Sequence, residues 1–93
     1  RDRALLAALD DRTVLERRPT AACVIRTDDP DGRLRVLLGD RELRMPARLA
    51  GPMAVVRDRH RFLVADLGPG LDAAGRQVLA RRLVREGLLR IAR

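Results

Sequence analysis

The sequence predicts a small α+β domain: a helical stub, then a short β-hairpin, then a helix-rich C-terminal half. Three observations predict it. In Val78-Leu79-Ala80-Arg81-Arg82-Leu83-Val84-Arg85-Glu86-Gly87-Leu88-Leu89, the apolar residues 79, 80, 83 and 84 fall on one side of a helix that Gly87 stops, and Leu88, Leu89 and Ile91 continue as a strand. From Pro46 onward the order reads helix, short strand, short helix, helix, strand. Before Pro46, apolar residues alternate with polar ones around turn residues, the mark of a hairpin. A helix ended by Gly and followed at once by a short strand is how the third helix of a winged-helix domain passes into its wing.

Taken in order, Ala4, Leu5, Leu6 and Leu9 suit a short amphipathic helix. Thr13-Val14-Leu15-Glu16 has the Thr-x-x-Glu form of a capping box and opens a second helical turn that Pro19 ends. Residues 1–18 therefore read as a helical stub or linker from an upstream domain, and residues 19–93 as the winged-helix-like domain. Ala21 to Arg26 is strand-like, Asp28-Asp29-Pro30-Asp31-Gly32 is strong turn chemistry, and Leu34, Val36 and Leu38 alternate with their neighbours. A tight turn at Gly39-Asp40 leads to a third short strand, with Leu43 and Met45 on one face.

Pro46 closes that strand. Leu49, Met53 and Val56 then recur at helical spacing, and Pro52 is tolerated only in a first turn, so the regular helix begins near Ala50 or Gly51. Residues 57–60 form a polar connector, Arg61 to Val64 a short strand and Val64 to Leu67 a single-turn helix. Asp72 caps the third helix, which runs to Glu86. The expected core is Leu49, Met53, Val56, Leu63, Leu67, Leu79, Leu83 and Leu88.

Length and composition bound the function. At 93 residues the chain suffices for one modest core, not for a cofactor-binding enzyme domain as well. It starts at Arg1 with no charged-then-apolar leader, which reads as a piece of a longer polypeptide. No apolar run approaches the ~20 residues that span a bilayer, and a lone Cys23 suits a reducing, cytoplasmic setting. The net charge is +7, and all 20 basic residues are Arg. With no Lys, Asn, Ser, Tyr or Trp, that skew reads as GC-rich coding. The arginines are scattered along the chain rather than gathered as nucleic-acid patches are.

The segment Gly39-Asp40-Arg41-Glu42-Leu43-Arg44-Met45-Pro46-Ala47, the apolar helix with a proline before Met53-Ala54, then Phe62-Leu63-Val64-Ala65-Asp66-Leu67, and finally Leu79 to Leu89 together resemble a known pattern. It is the C-terminal region of the JmjC-type, cupin-fold ribosomal oxygenases and their bacterial relatives, and the resemblance covers residues 17–92. It implies an Fe(II)- and 2-oxoglutarate-dependent barrel joined to a helical dimerisation region and a terminal winged helix, the whole hydroxylating protein side chains. The family's iron motif, His-x-Asp or His-x-Glu with a distant second His, matches no position here: His60 is the only histidine and Arg61-Phe62 follow it. The resemblance therefore implies that Fe(II) and 2-oxoglutarate belong to an upstream domain, that this segment holds no cofactor, and that its partners are that domain, a dimer mate and a protein substrate.

The remaining candidates read as structure. His60, between two arginines, is a solvated loop residue, and Cys23 a small core residue. Without any Ser, no Ser-based triad exists. Asp28, Asp29 and Asp31 serve a tight turn rather than a cation, and Gly68-Pro69-Gly70 is a connector that lacks phosphate-loop partners. If the third helix met DNA, Arg76 and Gln77 would read bases while Arg81, Arg82 and Arg85 touched phosphates. Its N-terminal half otherwise offers Ala73, Ala74 and Gly75, and only one wing strand follows it. A protein-facing use of that surface is favoured over DNA, with no membrane contact.

Overall fold

The computed structural model describes residues 2–68 and 70–92, with side chains from Ala4 onward. It is α+β. In chain order the elements are α1 (Asp2–Ala7), β1 (Val14–Arg17), β2 (Val24–Arg26), β3 (Leu34–Leu38), β4 (Arg41–Met45), a 3₁₀ turn (Ala47–Leu49), α2 (Ala50–Asp58), β5 (Arg61–Leu63), a second 3₁₀ turn (Val64–Leu67), α3 (Ala73–Arg85) and β6 (Leu89–Ile91). The strands form two antiparallel three-stranded sheets, ordered β5-β1-β6 and β2-β3-β4. No helix among the described residues is long and apolar enough to cross a membrane.

The hairpin sheet follows the sequence closely. Gly32 and Gly39 adopt φ of +74° and +65° at its two turns, a backbone region costly for other residues. Leu34, Val36 and Leu38 alternate into the core with Leu43 and Met45 beside them. Asp29 organises the first turn. Its buried carboxylate accepts hydrogen bonds from the Asp31 and Arg33 amides, each at 3.2 Å, and from the Arg44 guanidinium at 2.7 Å.

The other sheet corrects the expected stub. Thr13 to Arg17 is not a capped helical turn: Thr13 Oγ1 accepts from the Asp10 amide at 3.0 Å, and the chain then extends as β1. β1 is the central strand, with Leu15 opposite Phe62 on one side and Ile91 on the other. The expected boundary after residue 18 thus cuts through the sheet, and Leu9 and Leu15 belong to the same buried cluster as α2 and α3. β6, which the sequence leaves as a lone wing strand, finds its partner in β1 rather than in a strand following it.

Register explains a second correction. Leu15 is fully buried, so Phe62 opposite it also faces inward, and Leu63, paired with Val14, points outward and is 40% exposed. The core residue there is Phe62, not the expected Leu63. Leu49 is only half-buried, while Met53, Val56, Leu67, Leu79, Leu83 and Leu88 are buried as expected. On the outer face Glu16 lies between two cross-strand arginines, 2.7 Å from Arg90 and 3.5 Å from Arg61. On the inner face the Arg17 guanidinium reaches the carbonyls of Val56 and Arg57 at the C-terminus of α2, where a cation is favoured.

Candidate docking face on the third helix

Asp72 starts α3, its carboxylate accepting from the Gly75 amide at 2.7 Å. A β-carbon at Gly75 would stand 3.0 Å from that carboxylate oxygen, so the residue without one fits beside the cap. The helix buries Leu79, Ala80 and Leu83, and Gly87, at φ +86°, ends it before β6. Val78 falls outside the buried phase and is 64% exposed. Ala74, Arg82 and Arg85 share its solvent-facing side.

The residues expected to touch nucleic acid are not equivalent. Arg76 is engaged: its Nε and Nη2 donate to the two oxygens of Asp11 at 2.8 and 2.7 Å, holding the segment before β1 against α3. That hydrogen-bonded guanidinium keeps the Asp11 carboxyl below its ordinary range. Arg81 donates to the Leu6 carbonyl at 3.0 Å, so α1 lies along the same helix. Gln77 is half-buried. Of the residues expected to face nucleic acid, Arg82 and Arg85 are exposed, Gln77 is half-buried, and the Arg76 guanidinium is occupied by Asp11.

The charge is distributed by folding rather than by sequence. Arg12, Arg26, Arg35, Arg41, Arg44, Arg57, Arg59, Arg61, Arg76 and Arg90 all meet carboxylates. Arg48, Arg82 and Arg85 meet none among the described side chains. Arg18, after β1, and Arg33, at the hairpin turn, also meet none, so residual positive charge lies at those two places as well as on the face of α3 and the 3₁₀ turn beside it.

Two shallow grooves flank that face. One, of about 250 Å³, runs between α1, α3 and β6 and is lined by Leu5, Leu6, Val84 and Ile91 with Arg18 and Arg85. The other, of about 240 Å³, lies between β4, the first 3₁₀ turn and α3; Met45, Leu49, Leu71 and Val78 line it together with Arg48 and Arg82. Sequence reading missed the second groove, although Val78, an apolar residue one position before the buried phase of its helix, is the signal that could have found it.

Elsewhere the chemistry is spare. His60 is exposed in a shallow depression with Arg17, Arg57, Asp58 and Arg59, and its carbonyl accepts from the Arg17 amide at 2.8 Å. Cys23 is half-buried, and burial pushes its thiol up, away from thiolate. No group of three or more His, Cys, Asp or Glu side chains converges among the described residues. A single exposed histidine ringed by arginines does not fit an iron site. Part of the Gly68-Pro69-Gly70 connector, Pro69, lies outside the described residues. Comparison with known proteins finds no matching family model, no matching curated protein and no matching solved structure.

Proposed function

We propose that this chain is a non-catalytic winged-helix-like module that works by docking, as the C-terminal companion of a JmjC-type Fe(II)- and 2-oxoglutarate-dependent protein hydroxylase in the cytoplasm. One observation carries the docking part: ten arginines meet carboxylates, while Arg48 and Arg82, which meet none among the described side chains, line a groove with apolar side chains beside α3. The layout of α2, β5, the 3₁₀ turn, α3 and β6 over a three-stranded sheet supports the winged-helix reading, with β1 in the place of the missing strand. The oxygenase part rests on the sequence resemblance. Fe(II) and 2-oxoglutarate belong to the upstream domain in this reading, and this module faces that domain, a dimer mate or a protein substrate.

The reading frame encoding the chain supplies the test. A His-x-Asp or His-x-Glu pair with a distant second His upstream of Arg1, together with Fe(II)-dependent conversion of 2-oxoglutarate to succinate by the encoded polypeptide, is the expected result. A frame without that motif sinks the oxygenase assignment.

A DNA-binding module is the second reading, favoured by the exposed Arg82 and Arg85. It predicts that affinity for a duplex falls by orders of magnitude between about 50 and 200 mM salt and that Arg82→Ala reduces the slope. The docking reading expects only weak binding, indifferent to sequence, in a fluorescence-anisotropy titration.

A further inference from the structure

We propose that the groove between β4, the first 3₁₀ turn and α3 binds an acidic peptide segment that seats one bulky apolar side chain between Met45, Leu49, Leu71 and Val78 and sets carboxylates against Arg48 and Arg82. This inference rests on the docking reading and not on the upstream oxygenase.

The groove's chemistry selects the occupant. Its floor is apolar, and its volume of about 240 Å³ falls below the roughly 300–1,000 Å³ of small-molecule and cofactor pockets. That is the size of a side-chain anchor. Val78, 64% exposed, leaves apolar surface on its rim that water covers at a cost. Arg48 and Arg82 line the same groove, are exposed, and meet no carboxylate among the described side chains. An anchor flanked by acids satisfies both features at once, apolar area for affinity and opposite charge for steering and register.

Other occupants fit less well. Nucleic acid has no aromatic platform to stack on, since the only aromatic residue, Phe62, is 4% exposed in the core. Its phosphates gain nothing from an apolar floor. A duplex approaching α3 also meets α1, held alongside by the Arg81 contact to Leu6. A second copy of this chain brings another +7 to a face that is already positive.

The test uses the 93-residue chain and a fluorescein-labelled peptide of two adjacent leucines flanked on each side by three glutamates. Anisotropy should give a Kd on the order of 10 μM, weakened about tenfold or more by Arg82→Glu, by Arg48→Glu and by Val78→Glu. Arg59→Glu, beside His60 in a depression that shares no lining residue with this groove, should leave it unchanged. Each variant changes an exposed residue and is accepted only if its circular dichroism melt matches the parent. Serines in place of the leucines should abolish binding.

No binding at about 1 mM peptide, or equal binding of the serine peptide, overturns the proposal. A DNA duplex that binds more tightly than the peptide and is lost in Arg82→Glu assigns the face to nucleic acid instead. Self-association in sedimentation that Val78→Glu abolishes assigns it to a second copy. An upstream frame without an iron motif leaves the binding result standing, and failed binding leaves the oxygenase assignment untouched.

Discussion

Asp29 shows how one residue can hold a turn. Its carboxylate is the shared acceptor for the Asp31 and Arg33 amides and for Arg44 on β4, so removing it takes the partner from two backbone donors and leaves the Arg44 guanidinium with Glu42, 3.7 Å away. Asp29→Ala should cost about 2–3 kcal/mol in urea unfolding, because hydrogen bonds to a charged partner exceed ordinary ones and the donors are left unmet. Asp-Pro-Asp-Gly announced the turn in the sequence. Which aspartate points inward could not be read there, since it depends on where β4 carries Arg44. Acid response belongs to this scale too. Hydrogen bonds from Arg76, Arg90 and Arg35 hold Asp11, Glu16 and Glu42 below their ordinary carboxyl values. Because these groups titrate lower in the folded chain than in the unfolded one, their support is complete above the unfolded carboxylate range and is lost as pH falls through the lowered folded values. Urea midpoints should hold from neutral pH to about pH 5 and fall below about pH 4. Asp11→Asn should lower the midpoint at pH 7 and flatten the acid fall.

Among the elements, β1 matters most and was the least legible. Val14-Leu15-Glu16-Arg17 is too short to separate a period of 2 from one of 3.6, and Thr-x-x-Glu is a sound helix-start signal in isolation. Its partners decide the matter from afar: the Glu16 contacts to Arg61 and Arg90 span 45 and 74 residues. The hairpin, α2 and α3 were legible because their turn residues, prolines and caps are local. Leu15→Ala, at a fully buried site facing Phe62, should cost about 2–5 kcal/mol. Leu63→Ala, on the outer face of β5, should stay within about 0.5 kcal/mol of the parent. A chain of residues 19–93 lacks the middle strand and should give no cooperative unfolding transition in circular dichroism, whereas residues 10–93 should keep one.

For the whole molecule, the candidate docking face is a property of tertiary pairing. The sequence displays the arginines as scattered, and nothing along the chain distinguishes Arg82, left free, from Arg76, bound by Asp11. Part of that sorting is done by ion pairs between distant residues, Arg41 with Glu86, Arg61 and Arg90 with Glu16, and Arg76 with Asp11, which only the folded chain reveals. The pairing of β1 and the burial of Leu9 and Leu15 gather the N-terminal segment into the same body, in keeping with a radius of gyration of 12.6 Å against about 12 Å for one domain of this length.

The placement of β1 between β5 and β6 also governs when the domain can form. During synthesis β1 emerges with neither neighbour available, and its second neighbour, β6, comes only after α3. Until then Leu15 has no complete sheet to enter, and the hairpin is the only sheet that can assemble early. The nascent chain must therefore wait in an unfinished state until β6 has left the ribosome, and pairing across that separation makes the final closure slow relative to a helical bundle of equal size. Holding an upstream neighbour close, or having a chaperone cover β1, would shorten or protect that interval.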